Sequence, residues 1–356
     1  MPLGSLIDLK AASGQSLRAT ALFLPASSSR RSPTIIVKET GSALRSVAIS
    51  VLDTGVPEET IALARRIEAV GFGRLWVTEH HTETQSACPA IMAAAVLAST
   101  TRLSVTVGGV LARLHSPFFI AEQLKLLAKL YGNRIQFGVV GTLPGDAIRD
   151  AIGTPVADTP EEYRQRLLRL RELALTLPTE NPADENVRAS HESHDDENHH
   201  DGQQADQRQT VGPVGAEPTS FSICGASEES ATFTGELGFP FAFHHFLCPQ
   251  DRQDDRIAVC RKFRESGGSH LSVAVSGICA DSTSEAERLW EEFNQDRHSR
   301  RPSFLGTVDE SAAQIATIVT EMAADEVVIQ PLSNDFQTRI SSLEGVFHPL
   351  KARFDH

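Results

Sequence analysis

The chain has 356 residues, 40% of them hydrophobic, enough to bury one large core or two of ordinary size. Asp and Glu outnumber Lys and Arg by 46 to 33, for a net charge of -13, and no local basic patch offsets this, which argues against a nucleic-acid partner. No apolar run reaches the ~18 residues of a membrane span, and five scattered cysteines without a C-x-x-C pair argue against a disulfide framework or zinc ribbon and fit a reducing cytoplasm.

In chain order, residues 1–44 come first, rich in Ser, Ala and Arg (Arg18, Arg30, Arg31) with few acids; they read as a disordered N-terminal extension. From there short β-rich runs alternate with helical periodicity, as parallel strands joined by crossover helices do. The runs are 47–52, 74–78, 103–107, 135–140, 220–224, 239–244, 271–279 and 326–330. Pro57 with Glu58 and Glu59 opens the first helix. The next, from Pro89 to Ser99, carries Ala90, Ala93, Ala94, Ala95 and Ala98 with Ile91 and Leu97; its small residues let helices approach closely and predict a homodimer through it and its neighbour. Ser116-Pro117 then precede Ile120, Leu124 and Leu127, and Thr159-Pro160-Glu161-Glu162 forms a capping box ahead of Tyr163, Leu167, Leu170 and Ala174. At 178–218 periodicity vanishes, and His191, His194, His199 and His200 sit among Asp195, Asp196, Glu197 and Asp201. Metal ligands need fixed geometry, which so polar a tract rarely supplies; it reads as a disordered insert between helix four and strand five. Phe336, Ile340, Leu343 and Phe347 mark a closing helix, so 45–356 is expected to form a (β/α)8 barrel.

In such a barrel the chemistry lies at the carboxyl ends of the strands. Glu79, His80 and His81 end the second run. Adjacent histidines there can simply bond to loops, but a carboxylate beside them on the catalytic rim points to proton transfer near neutral pH. Gly108 and Gly109 follow the third run and let backbone lie against a flat ligand, although a tight turn uses the same residues. Gly138 and Gly141 near the end of the fourth are consistent with close approach of a cofactor. After the fifth, Ser227 and Ser230 bring hydroxyls and helix-terminal amides to an anion site, or serve as an ordinary cap. Glu228 and Glu229 would have to point away from any anion there. No G-x-G-x-x-G follows a strand, in keeping with NAD(P)H being handled by another protein.

Taken together, Glu79-His80-His81-Thr82-Glu83, Gly108-Gly109-Val110, His115-Ser116-Pro117, Ala121-Glu122-Gln123, Gly132-Asn133-Arg134-Ile135 and Phe137-Gly138-Val139-Val140-Gly141 have a specific order and spacing. In these the chain resembles the bacterial luciferase-like flavin monooxygenases over most of 46–350. The resemblance implies reduced FMN supplied by a separate flavin reductase, and oxygenation of a small organic substrate by O2 through a peroxyflavin. It implies that His80 governs protonation, that Glu79 orients or charge-balances it, and that His81 faces the substrate or a subunit contact. It further implies a non-prolyl cis peptide at Gly108-Gly109 under the flavin ring, and phosphate contacts from Ser227 and Ser230. One departure is that the position of the family's phosphate-pairing arginine reads Val140-Gly141-Thr142, which predicts weak FMN binding and tighter binding by Gly141→Arg. The segment between Trp290 and Phe304 is also short for the family. Alternative readings are a deazaflavin-dependent oxidoreductase on the same barrel, and a non-catalytic flavin-binding or subunit-like protein.

Overall fold

The computed structural model describes residues 6–10, 16–20, 47–53, 56–81, 88–143, 145–152, 156–157, 159–175, 221–248, 253–295, 297 and 301–354. In a separate unit, Leu6–Lys10 pairs antiparallel with Ser16–Thr20. The remainder of the expected N-terminal extension, and the whole His-rich insert, lie outside the described residues.

From residue 47 onward the strands are β1 (Ala48–Asp53), β2 (Arg74–Val77), β3 (Ser104–Leu111), β4 (Ile135–Val140), β5 (Phe221–Gly225), β6 (Phe241–His244), β7 (Leu271–Cys279), β8 (Phe304–Gly306) and β9 (Glu326–Pro331). All pair in parallel. β1 to β7 follow one another around a closed wall, and β9 completes it between β7 and β1. The fold is thus an eight-stranded parallel (β/α)8 barrel with one added strand. The addition, β8, pairs with Gly277 to Cys279 of β7, above the level where β6 ends opposite Ala274. A three-residue strand carries almost no periodicity, and the sequence gives no sign of it.

Around the wall run α1 (Pro57–Val70), α2 (Pro89–Ser99), α3 (Pro117–Tyr131), α4 (Asp146–Ile152), α5 (Pro160–Leu175), α6 (Glu228–Glu236), α7 (Gln253–Glu265), α8 (Thr283–Asn294), α9 (Val308–Glu321) and α10 (Phe336–Phe354). Their starts follow the expected chemistry. Ser116 accepts a bond from the Phe118 amide at 3.3 Å, and Thr159 and Glu162 cap each other reciprocally. The period-two alternation of the strands divides their side chains between two faces. Leu75, Val77, Val105 and Val107 pack outward against helix residues such as Leu63, Ile67, Leu97 and Leu124, while Leu52, Trp76, Cys224, Ala242, Ala274 and Val328 fill the barrel's interior.

Below them the floor is polar. Glu326 accepts a bond from Ser272 at 2.6 Å and another from Ser50, and lies 3.6 Å from Arg74 and 3.8 Å from His270. These contacts outweigh burial and hold its pKa down at about 2.

Two expectations need correction. β3 does not end at Val107: Val107 pairs with Phe137 and Val110 with Val139, so three residues of β3 span two of β4 and the ladder resumes after a bulge at Gly108 and Gly109. Leu97 is 1% exposed and belongs to the core, whereas Ile91 is 71% exposed; only the second is placed to meet a partner chain.

Candidate functional site

A cavity of about 400 Å³ opens at the carboxyl ends of the strands. Its lining includes Glu79, His80 and His81 from the end of β2, Gly109 and Leu111 from β3, and His244 from β6. Leu52, Val140, Leu143 and Phe246 supply apolar wall, and Gln330 of β9 a polar one. Trp76 is buried in the interior cluster that includes the lining residue Leu52, and a Cβ at Gly108 would lie 2.7 Å from its indole, so no larger residue fits there without displacing the ring. Gly108 and Gly109 are joined by a non-prolyl cis peptide. Gly138 packs against protein, its missing Cβ 3.1 Å from both Cys224 and Ser222 and 3.3 Å from the Gly108 backbone.

Within the cavity the three candidate side chains play unequal parts. The Glu79 carboxylate is fully buried and accepts three hydrogen bonds: Oε1 meets His81 Nε2 at 2.9 Å and His115 Nε2 at 2.6 Å, and Oε2 accepts the Leu111 amide at 2.8 Å. Burial alone would raise its pKa, but the bond and charge of His115, the Leu111 amide and the His81 bond together lower it, so Glu79 is ionised. Its hydrogen-bonded histidines are therefore His81 and His115, and its influence on His80 is through charge. At His80 burial lowers the pKa, opposed by the Glu79 charge and reinforced by His81, which favours the neutral imidazole at pH 7. Burial likewise lowers His244 to about 4.

A second cavity, of about 780 Å³, shares Val140 and Thr142 with the first. Gly141, Ser227 and Ser230 line it, together with Arg113, Tyr163 and Arg164. Ser227 caps α6, its Oγ accepting the Ser230 amide at 3.2 Å while Ser230 Oγ accepts the Ser227 amide at 3.3 Å. Of the two carboxylates expected to point away from an anion here, Glu228 does not line the cavity but Glu229 does, together with Glu161 and Glu236, so the wall is of mixed charge. Arg113 is committed to structure: it donates to the carbonyls of Gly141, Ala157 and Thr159 at 2.6, 2.7 and 3.0 Å and stacks on Tyr163. The Arg164 guanidinium lies 5.1 Å from the centre of the Phe233 ring, beside Ser227 and Ser230 in the lining. Tyr163 occupies the space next to Gly141, where a Cβ would fall 2.9 Å from its ring.

This pair of adjoining cavities at the carboxyl ends of the strands invites comparison with known barrels, and residues 39–337 match the luciferase-like monooxygenases. The chain belongs to that family. A luciferase-like monooxygenase of Escherichia coli (strain K12) is 29% identical over 275 residues, 70% of this chain and 72% of its own. A Bacillus subtilis (strain 168) protein, YwcH, is 27% identical over 246 residues; the chain spans 65% of the length of YwcH and of a second relative there, YceB. Among solved structures, apo-MsnO8 has a TM-score of 0.68 at 22% identity, covering 87% of this chain and 98% of its own. The oxygenating constituent of 3,6-diketocamphane monooxygenase from Pseudomonas putida, in complex with FMN, gives 0.62 at 15% identity, with 86% and 98% covered. An F420-dependent secondary alcohol dehydrogenase gives 0.59 at 14%, with 85% and 99% covered. Such low identities establish the shared barrel and nothing finer.

For this member of the luciferase-like family, the structure brings Glu79, His80, His81 and Gly109 to one cavity and Gly141, Ser227 and Ser230 to its neighbour, and leaves Gly108 and Gly138 as packing beneath. Sequence reasoning missed His115, His244 and Arg164. His244 ends an expected strand and could have been found from that position alone. His115 stood in a quoted motif without a role, and Arg164 carries no local signal, since only tertiary packing sets it beside α6. Among the described residues no cluster of His, Cys, Asp or Glu could hold a metal ion, no helix is long and apolar enough to cross a membrane, and all five cysteines are free.

Proposed function

We propose that the chain is a flavin-dependent monooxygenase that takes reduced FMN from a separate flavin reductase and oxygenates a small organic molecule with O2. The observation that carries this reading is the shared wall at Val140 and Thr142, which makes one elongated site with proton-transfer groups at one end and anion-binding groups at the other. The residues present fit FMN. Arg164, the Ser227 and Ser230 hydroxyls and the start of α6 would hold the phosphate. Gly109, Leu52, Leu111 and Val140 offer a flat, largely apolar surface for the ring system.

When bound, the reduced flavin supplies the electrons that activate O2. The chain's own residues do the rest. His80, neutral at pH 7, takes up a proton at the reacting end, and apolar walls exclude water from it. His244, His81 and Gln330 line the space left for the substrate. We assign the reaction to the cytoplasm, where free thiols persist, and the active species to a homodimer formed through the exposed Ile91 of α2 and Phe119, Leu126 and Leu130 of α3.

The test is to offer FMN, riboflavin and the deazaflavin F420, each reduced, and to measure binding and oxygen-dependent peroxide release. FMN should bind more tightly than riboflavin and support O2 consumption. Preference for F420 without O2 consumption would favour a deazaflavin dehydrogenase instead, and binding of none of the three would favour a non-catalytic role.

A further inference from the structure

We propose that the substrate of the 400 Å³ cavity is an uncharged, mainly apolar molecule whose one small hydrogen-bonding group meets His244 and Gln330. The inference rests on the monooxygenase reading, because it names the substrate class of that same site. Inward-facing residues recur at every second position along a barrel strand, so the cavity is built in layers. Trp76, Ala242 and Val328 belong to the interior cluster. Two residues further along the chain from each, Thr78, His244 and Gln330 line the cavity. Pairing sets His244 level with Ala274 and Gln330 level with Ser276, so the two flank β7 at neighbouring heights. Thr78 donates to the Asp53 carbonyl at 3.3 Å. The His244 ring stacks on Phe246, centroids 5.5 Å apart, and among the described residues neither its nitrogens nor the Gln330 amide has a hydrogen-bond partner. A neutral imidazole and a carboxamide each offer both a donor and an acceptor.

The charges around this space are one-sided. Among the described residues no Lys or Arg lines it, whereas Arg113 and Arg164 line its neighbour. The carboxylate that does line it, Glu79, is fully buried, and both its oxygens are taken by His81, His115 and the Leu111 amide. Burial keeps His80 and His244 neutral at pH 7. A carboxylate or other anion entering here would leave water with no cation to replace it and a fixed negative charge nearby, which costs far more than burying a neutral group that finds a partner. An ammonium would find no carboxylate oxygen without a partner. The remaining wall suits a molecule that sheds its water on entry: Leu143 and Leu247 line the cavity while staying 39% and 52% exposed, beside Ile148 and Phe246.

Calorimetric titration of the full chain, alone and with oxidised FMN, tests this with probes that share a skeleton and differ in charge. The probes are methyl ketones, carboxylates of equal size and the matching primary ammonium ions, on cyclohexyl and on straight-chain frames. In each set the ketone should bind, and the carboxylate should bind more weakly by on the order of 10²-fold. Gln330→Leu and His244→Phe should each weaken the ketone by about 10-fold. Gln330→Arg should shift the preference towards the carboxylate, which loss of a merely structural contact would not do; Leu143→Arg, on the exposed rim, makes the same test should Gln330→Arg not fold. Preference for the carboxylate or the ammonium in any set, binding of no ketone, or ketone affinity indifferent to both His244→Phe and Gln330→Leu would overturn the inference. Should reduced FMN support O2 consumption while carboxylates bind best, the monooxygenase reading stands and the uncharged substrate falls. Should ketones bind best while no reduced flavin supports O2 consumption, the pocket keeps its uncharged ligand and the monooxygenase reading falls.

Discussion

Single atoms set the limits at the residue scale. A neutral His80 is a proton acceptor at pH 7, and because its pKa is lowered, activity that needs the neutral ring should persist below the ordinary histidine pKa of about 6.5 and fail only in more acid solution. His80→Ala should cost ~10²- to 10⁴-fold in turnover and leave the melting temperature nearly unchanged, since the side chain is half-buried at the rim. Wild-type turnover in this variant under saturating reduced flavin would remove His80 from the reaction. Gly141 shows how space can overrule a residue-by-residue analogy. Sequence alone predicts that Gly141→Arg tightens FMN binding, but the new Cβ would meet the Tyr163 ring, so the expected result is a lower melting temperature without tighter binding. The charge is to be sought at Arg164: Arg164→Ala should weaken FMN by about 1.5–3 kcal/mol and riboflavin far less. Isothermal titration with both ligands checks this, and equal losses would move the phosphate elsewhere.

Among the elements, those with strong periodicity or a distinctive cap were legible, and those shaped by their neighbours were not. The eight barrel strands were readable from short β-rich runs, and α3 and α5 from Ser116 and the Thr159–Glu162 pair. The continuation of β3 past two glycines was not, because a glycine pair locally reads as a strand end and only pairing with β4 restores it. Leu97 failed for the same kind of reason, since a small-residue helix has apolar residues on every side and the barrel chooses which to bury. Glu326 was read as the first residue of a strand and given no role, yet it anchors the barrel floor. Its folded pKa is depressed to about 2 from an ordinary value of 4.5, so its stabilisation is fully present above pH 4.5 and is lost as pH falls from there towards 2. Glu326→Gln should therefore destabilise the barrel by about 3 kcal/mol at pH 7 and flatten the loss of stability in acid. Urea unfolding at pH 7 and pH 3 measures both, and an unchanged slope with pH would mean that Glu326 is not the group responsible.

For the whole molecule, the exposed residues of α2 and α3 predict self-association. Ile91→Glu with Leu130→Glu should turn a sedimenting dimer into a monomer at micromolar concentration, because charges placed in an apolar contact must be desolvated; a wild-type protein that already sediments as a monomer would dispose of the homodimer. The barrel was legible in the sequence, as was the grouping of candidate residues at the carboxyl ends of its strands, whereas the division of that end into two adjoining cavities depends on loops whose course no local pattern encodes. The solid interior has a kinetic meaning. With Trp76 and the Glu326 network closing the tube from below, the proposed flavin and substrate would both enter from the carboxyl ends of the strands, where the two cavities meet at Val140 and Thr142. Two visitors sharing a doorway into a dead end cannot come and go independently: the one seated deeper arrives first and leaves last. Steady-state kinetics should accordingly follow a compulsory order, and product that lingers at the threshold should slow the exchange of spent flavin.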